Sequence, residues 1–149
     1  VTVTDEETAA AILALLEQQK LVAEGAGAVA VAAAMFNKLP IKGKKTICLV
    51  SGGNVDVTTL SRIVNRGLTK SGRKYSFIID LDDKPGQLSG VCNVVADQGG
   101  NIQSVTHERV NTAAEINGCT VRVEMDTRDQ AHIDSIRRAL IASGFKVTN

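Results

Sequence analysis

The sequence predicts an α+β protein in two parts, a short α/β segment followed by a four-stranded βαββαβ unit. Three observations carry this expectation. From Tyr75 onward the apolar spacing switches between period two and period 3.6, in the order strand, helix, strand, strand, helix, strand. Before that, helical periodicity dominates and is interrupted by one short apolar run at 46–50. The polar stretch at 69–74 separates the two patterns, which places the expected domains at 1–70 and 71–149. The basic residues of that stretch read as a solvated linker.

Val1-Thr2-Val3 reads as a short strand entering Thr4-Asp5-Glu6-Glu7, a capping box in which each of Thr4 and Glu7 satisfies the other's amide. A chain that opens inside an element reads as a piece of a longer protein. The first helix is expected over 5–19, with Ala9, Ile12, Leu13 and Leu16 on one face and a break at 20–22. A second opens at Glu24 and reaches about Asn37. It is almost entirely Ala, Val and Gly, which predicts burial on all sides and a need for neighbours. Pro40 and Gly43 mark a loop, and residues 46–50 a buried strand. A third helix follows over 57–68, with Leu60, Ile63, Val64 and Leu68 inward and Asp56 as its N-cap.

In the second part, Tyr75, Phe77, Ile79 and Leu81 alternate along the first strand. Pro85-Gly86 turns the chain into a helix carrying Leu88, Val91, Cys92 and Val95 on one side, ended by Gly99-Gly100. The second strand is expected over 101–110, a hairpin at 111–114, and the third strand over 115–125 with Cys119, Val121, Val123 and Met125 inward. Thr127-Arg128-Asp129-Gln130 reads as a second capping box. The helix behind it buries Ile133, Ile136, Leu140 and Ile141, Gly144 stops it, and 145–147 forms a last strand. That order is the ferredoxin-like arrangement, one antiparallel sheet with two helices on one face.

Composition removes several functions. A net charge of +1 gives no electrostatic case for nucleic acid or a membrane surface. Cys48, Cys92 and Cys119 are odd in number and never paired as Cys-x-x-Cys, which speaks for a reducing cytoplasm and against zinc or a disulfide framework. No charged-then-apolar leader is present, and the longest apolar run, 26–36, is too short to span a bilayer. His107 and His132 fall on different elements without a partner at ligand spacing, so both read as surface or edge residues. No metal ligand is assigned.

Two strings carry chemistry. In Ser51-Gly52-Gly53-Asn54-Val55-Asp56, a turn between an apolar run and a helix, the Ser51 hydroxyl either satisfies local backbone or meets a ligand. In Glu24-Gly25-Ala26-Gly27-Ala28, Glu24 either complements a helix dipole or faces a site, and Gly27 suits close packing. Together they resemble the C-terminal portion of pyridoxal-phosphate enzymes of the threonine/serine dehydratase family, a match covering about 1–70. The resemblance implies a fold-type II catalytic-domain piece in which Ser51 hydrogen-bonds the pyridine nitrogen of pyridoxal phosphate. It also implies that Gly52 and Gly53 bring backbone close to the ring and that Glu24 lies on the pocket wall. The family's cofactor-linking lysine motif and its phosphate-binding run of glycines do not occur here. No catalytic residue is therefore assigned, and the chain alone is expected to bind no cofactor and to be inactive.

The second string is Asp82-Asp83-Lys84-Pro85-Gly86-Gln87-Leu88, followed by Gly99-Gly100-Asn101-Ile102. A helix N-terminus behind a tight turn attracts a carboxylate, Asn101 offers an amide, and Asp82 or Asp83 can meet an ammonium; the alternative is an ordinary turn with solvated aspartates. These residues resemble the ACT domain, an amino-acid-binding regulatory module, over about 74–148. The combined resemblance implies an allosterically regulated threonine ammonia-lyase, which converts L-threonine to 2-oxobutanoate and ammonia. Its effector is expected to be a small aliphatic amino acid, isoleucine or valine for a parent in isoleucine biosynthesis. Leu88 and Ile102 would line the apolar part of that site, and the ACT part is expected to self-associate as a dimer. A serine-preferring dehydratase and a non-enzymatic amino-acid sensor are the competing readings. An RNA-binding sheet would need stacking aromatics that 119–125 lacks, and a metallochaperone would need a cysteine pair in the first loop.

Overall fold

The structure, a computed structural model, describes residues 1–109 and 118–149. The expected hairpin at 111–114 and the adjoining strand ends at 110 and 115–117 lie outside the described residues. The chain divides into two compact units, Val1–Gly67 and Leu68–Asn149.

In the first unit Thr4 and Glu7 close their capping box, the Thr4 N–H donating to Glu7 Oε2 at 2.8 Å and the Glu7 N–H to Thr4 Oγ1 at 3.2 Å. Helix α1 (Asp5–Ala14) then widens into a π-helical turn, Leu15–Gln19, which stops at left-handed Lys20. Widening shifts the inward face: Ala11, Ile12, Leu13 and Leu15 are buried, while Ala9 and Leu16 are only half-buried. Helices α2 (Gly25–Met35) and α3 (Val57–Lys70) follow. The core is built from Ala11, Ile12, Leu15, Ala23, Ala28 and Ala32, with Val3, Val50, Leu60 and Ile63 packed around it.

Several expectations for this unit are corrected. Val1-Thr2-Val3 is not a strand, although Val3 packs on the core. Residues 46–50 are extended but unpaired: Cys48 and Val50 are half-buried, whereas Ile47 is 97% and Leu49 81% exposed. Its apolar composition made that run strand-like, but among the described residues no second strand lies beside it. Helix α2 buries only Gly27, Ala28, Ala32 and Ala33 and exposes Val29, Met35 and Phe36, so its all-round apolarity exceeds what this unit covers. Helix α3 holds Leu60, Ile63, Val64 and Leu68 no more than half-buried, with Asp56 capping it through the Thr59 N–H at 2.9 Å.

The second unit contains β1 (Lys74–Asp82), α4 (Gln87–Asp97), β2 (Asn101–Glu108), β3 (Gly118–Asp126), α5 (Gln130–Ala142) and β4 (Lys146–Val147). The sheet order is β2-β3-β1-β4 and every pairing is antiparallel. Period-two alternation sends Phe77, Ile79, Leu81, Cys119, Val121, Val123 and Met125 to one face, where Val91 and Val95 of α4 and Ile133, Ile136 and Leu140 of α5 cover them. This is the α+β architecture that the alternation predicts.

Three details differ in this unit. The α5 N-cap is Asp129, accepting from the His132 N–H at 2.8 Å; Thr127 is instead buried, its hydroxyl donating to the Gly72 carbonyl at 2.6 Å. Ile141 is 56% exposed, because Ile133, Ile136 and Leu140 already fill the helix face turned to the sheet. His132 is buried rather than a surface residue: its Nδ1 accepts from the Arg128 N–H at 3.1 Å, so Nε2 carries the proton and donates to the Gln98 carbonyl at 2.8 Å. Beyond the two residues of β4, the Thr148 N–H donates to the Ile78 carbonyl at 2.9 Å. The Asn149 side chain accepts from the Ile78 N–H at 2.8 Å and donates to the Ser76 carbonyl at 2.5 Å.

Candidate functional site

Each unit holds one cluster. In the first, the turn at 51–53 is fastened to the start of α2 by backbone. The Glu24 N–H donates to the Gly52 carbonyl at 3.1 Å. A Cβ on Gly27 would land inside the Ser51 carbonyl, so only glycine lets the turn rest on the helix there. Gly52 sits at φ +70, and a Cβ on it would strike the Glu24 carboxylate. Glu24, Gly27, Ser51 and Gly52 are thus brought together from two strings that lie far apart in sequence. Ser51 is exposed, on backbone held by these contacts. An exposed hydroxyl on backbone held in this way is compatible with hydrogen-bonding a ring nitrogen. The near side of Gly52 is occupied by Glu24, so its lack of a side chain is already explained within the protein. The approach at Gly53 is looser, a Cβ there lying 3.4 Å from the Val22 carbonyl oxygen.

In the second unit the loop after β1 forms one wall of a cavity of about 490 Å³. Asp82, Asp83, Lys84, Pro85, Gly86, Gln87 and Leu88 all line it, joined by Leu81, His107, Arg109 and Cys119. The volume is within the range of small-molecule pockets. Gly86, at φ +91, is the N-cap of α4, with no side chain capping the first-turn amides. Among the described residues a Cβ there would meet no atom within 4 Å, so it is the backbone conformation that calls for glycine. Both aspartates already have cationic partners: Asp82 pairs with Lys84 Nζ at 2.8 Å and Asp83 with Arg109 Nε at 3.2 Å. The hydrogen bond from Lys84 to Asp82 holds the ammonium pKa above its ordinary value. Burial pushes the Cys119 thiol up, and the nearby Asp83 charge adds to this.

Asn101 and Ile102 are not part of this cavity. Asn101 pairs with Asp126, whereas the loop joins β1 at Asp82, opposite Gly118. The length of β3 separates those two positions, about 26 Å at roughly 3.3 Å per residue. The Asn101 amide instead donates to Asp126 Oδ2 at 3.5 Å, and Ile102 packs on the core. His107, Arg109 and Cys119 are the residues that sequence reasoning missed. His107 lies opposite Val121 and therefore shares its inward side of the sheet; period-two counting back from the buried residues of β3 was the one signal that could have found it.

Comparison with known proteins adds the following. The ACT domain family model matches residues 75–142. Over 147 residues the chain is 48% identical to an L-threonine ammonia-lyase of Thermotoga maritima, covering 99% of this chain and 36% of that protein. It is 41% identical to an L-threonine ammonia-lyase of Geobacter sulfurreducens over 99% of this chain and 37% of that protein. A biosynthetic L-threonine dehydratase of Lactococcus lactis is 43% identical over 52% of this chain and 18% of its own length. The chain thus spans little more than a third of the length of these two lyases. Among the described residues no helix is long and apolar enough to cross a membrane.

Proposed function

Since the chain carries an ACT domain, at residues 75–142, and is similar to L-threonine ammonia-lyases along nearly all its length, we infer that it is the regulatory part of such a lyase together with one wall of its cofactor pocket. The observation that carries this reading is the cavity at 82–88, walled by the loop at the N-terminus of α4. An amino-acid carboxylate would take the uncapped first-turn amides near Gln87 and Leu88. The Gln87 N–H is held only at 3.4 Å by the Lys84 carbonyl and is available to a better acceptor. The ligand's ammonium would exchange with Lys84 or Arg109 for an aspartate.

Asn101 and Ile102 can join that site only from a second copy. Strand β2 is a sheet edge, and edges with unpaired backbone groups pair with one another. A two-fold pairing of β2 with β2 would be antiparallel, setting residue 101 of one copy beside residue 108 of the other, next to His107 and Arg109. Such a dimer would close the cavity with the partner's amide and apolar side chain. In the first unit Ser51 would hold the ring nitrogen of pyridoxal phosphate, with Glu24 fixing the turn that presents it. When bound in the parent, the cofactor supplies the electron sink for removing the α-proton and β-hydroxyl of threonine. Residues 1–70 are on this reading a piece of the catalytic domain, inactive alone.

Calorimetric titration of the chain with isoleucine, valine, threonine and serine tests the regulatory reading. Saturable heat with isoleucine or valine, lost in Gly86→Val, is the expected result. No heat from any of the four, with the fold verified by circular dichroism, would remove the amino-acid site.

A further inference from the structure

Three side chains of different chemistry converge at the cavity. Asp83 follows β1, His107 lies near the end of β2, and Cys119 near the start of β3. Their ligand atoms, a carboxylate oxygen, an imidazole nitrogen and the thiol sulfur, all lie within 4.8 Å of one another. We propose that Asp83, His107 and Cys119 form a binding site for a zinc-class divalent cation, its fourth position facing the cavity. This goes beyond the amino-acid reading and does not rest on it.

The chemistry of the donors selects the ion. One sulfur, one nitrogen and one oxygen suit zinc or cobalt and not calcium or magnesium, which take oxygen ligands. In a tetrahedral zinc site neighbouring ligand atoms stand roughly 3.5 Å apart, given metal–ligand distances near 2.0–2.3 Å. The three groups must therefore close by about 1 Å, a shift that falls to the exposed Asp83 and His107 rather than to buried Cys119. The thiol is the fixed point, because Cys119 is 2% exposed and packed in the core. On binding, the sulfur–metal bond replaces the sulfur–hydrogen bond and the proton passes to solvent, while His107 coordinates as the neutral imidazole. The site then carries a carboxylate and a thiolate against a double positive charge, with cavity water or a ligand carboxylate completing it.

Arg109 is the competitor. Its guanidinium already holds Asp83 at 3.2 Å, so the metal must displace it. Affinity should accordingly be moderate, and it should rise when Arg109 is removed. A merely electrostatic patch would respond in the same direction, but a thiolate-bound ion has a signature of its own.

Equilibrium dialysis of the intact chain against Zn²⁺ is the test, with Co²⁺ as the optical probe. The expected result is one ion per chain, with a thiolate-to-cobalt charge-transfer band and the intense visible bands of tetrahedral cobalt. His107→Gln and Asp83→Asn, both at exposed positions, should each weaken binding by more than the roughly 10–100-fold that loss of an outer-shell partner costs, while leaving the circular dichroism spectrum unchanged. Arg109→Gln should tighten it, and Cys48→Ala with Cys92→Ala should leave it intact. Absence of stoichiometric zinc, a cobalt complex without the charge-transfer band, or binding that survives His107→Gln would each overturn the site.

Discussion

Gly27 shows how one missing side chain decides a contact between elements. The Ser51 carbonyl occupies the place its Cβ would take. Gly27→Ala must push the turn off α2, and forced repacking of this kind costs about 1–3 kcal/mol. Urea unfolding of Gly27→Ala should show a loss of that order, and Gly25→Ala, whose Cβ has only the Thr8 methyl at 3.9 Å, should not. Equal effects at the two positions would mean that the turn yields freely. The resemblance assigned Glu24 and the Ser51 turn to one pocket, but the backbone contact that joins them was not legible in the sequence. Neither was the Asp83, His107 and Cys119 convergence, since it is created by strand register and each residue by itself is unremarkable. His132 failed for the same reason: its partners are a carbonyl on the preceding helix end and an amide in its own cap, neither visible as a pattern.

At the scale of elements, helix ends were read correctly where the cap is a side chain beside its own helix. Thr4, Glu7 and Asp56 do what their positions foretell, and only the α5 cap moved, from Thr127 to Asp129. These caps make the first unit sensitive to acid. The hydrogen bond from Lys38, with the Thr4 amide behind it, holds the Glu7 carboxyl below its ordinary pKa, and the Thr59 hydrogen bonds do the same for Asp56. A carboxyl depressed in the folded state stabilises above its unfolded pKa, and that contribution is lost as pH falls through the folded value. The melting temperature should therefore drop from about pH 5 toward pH 3, and Glu7→Gln combined with Asp56→Asn should flatten that limb. An unchanged slope in the double variant would assign the acid loss elsewhere. Apolarity proved a poorer guide than capping for α2 and for 46–50, because burial needs a covering neighbour that no local window contains.

For the molecule as a whole, the ferredoxin-like order was legible because six elements agree in period and sequence, whereas the site within it depends on which ends of strands meet. The proposed dimer follows from the free β2 edge. Val105 lies near the middle of that strand, so Val105→Lys would set two ammonium groups close together across the two-fold axis. Sedimentation equilibrium should find a dimer in the parent chain and a monomer in the variant, with isoleucine-dependent heat lost alongside. A variant that dimerises unchanged would place the interface elsewhere. The opposite edge, β4, is only two residues long. Thr148 and the Asn149 side chain continue β4 along β1 as far as Ser76, occupying backbone groups that a visiting strand would need. In the language of polymers β2 is a self-complementary end group. Consumed by its two-fold partner it terminates growth at two, whereas a head-to-tail contact would propagate a filament.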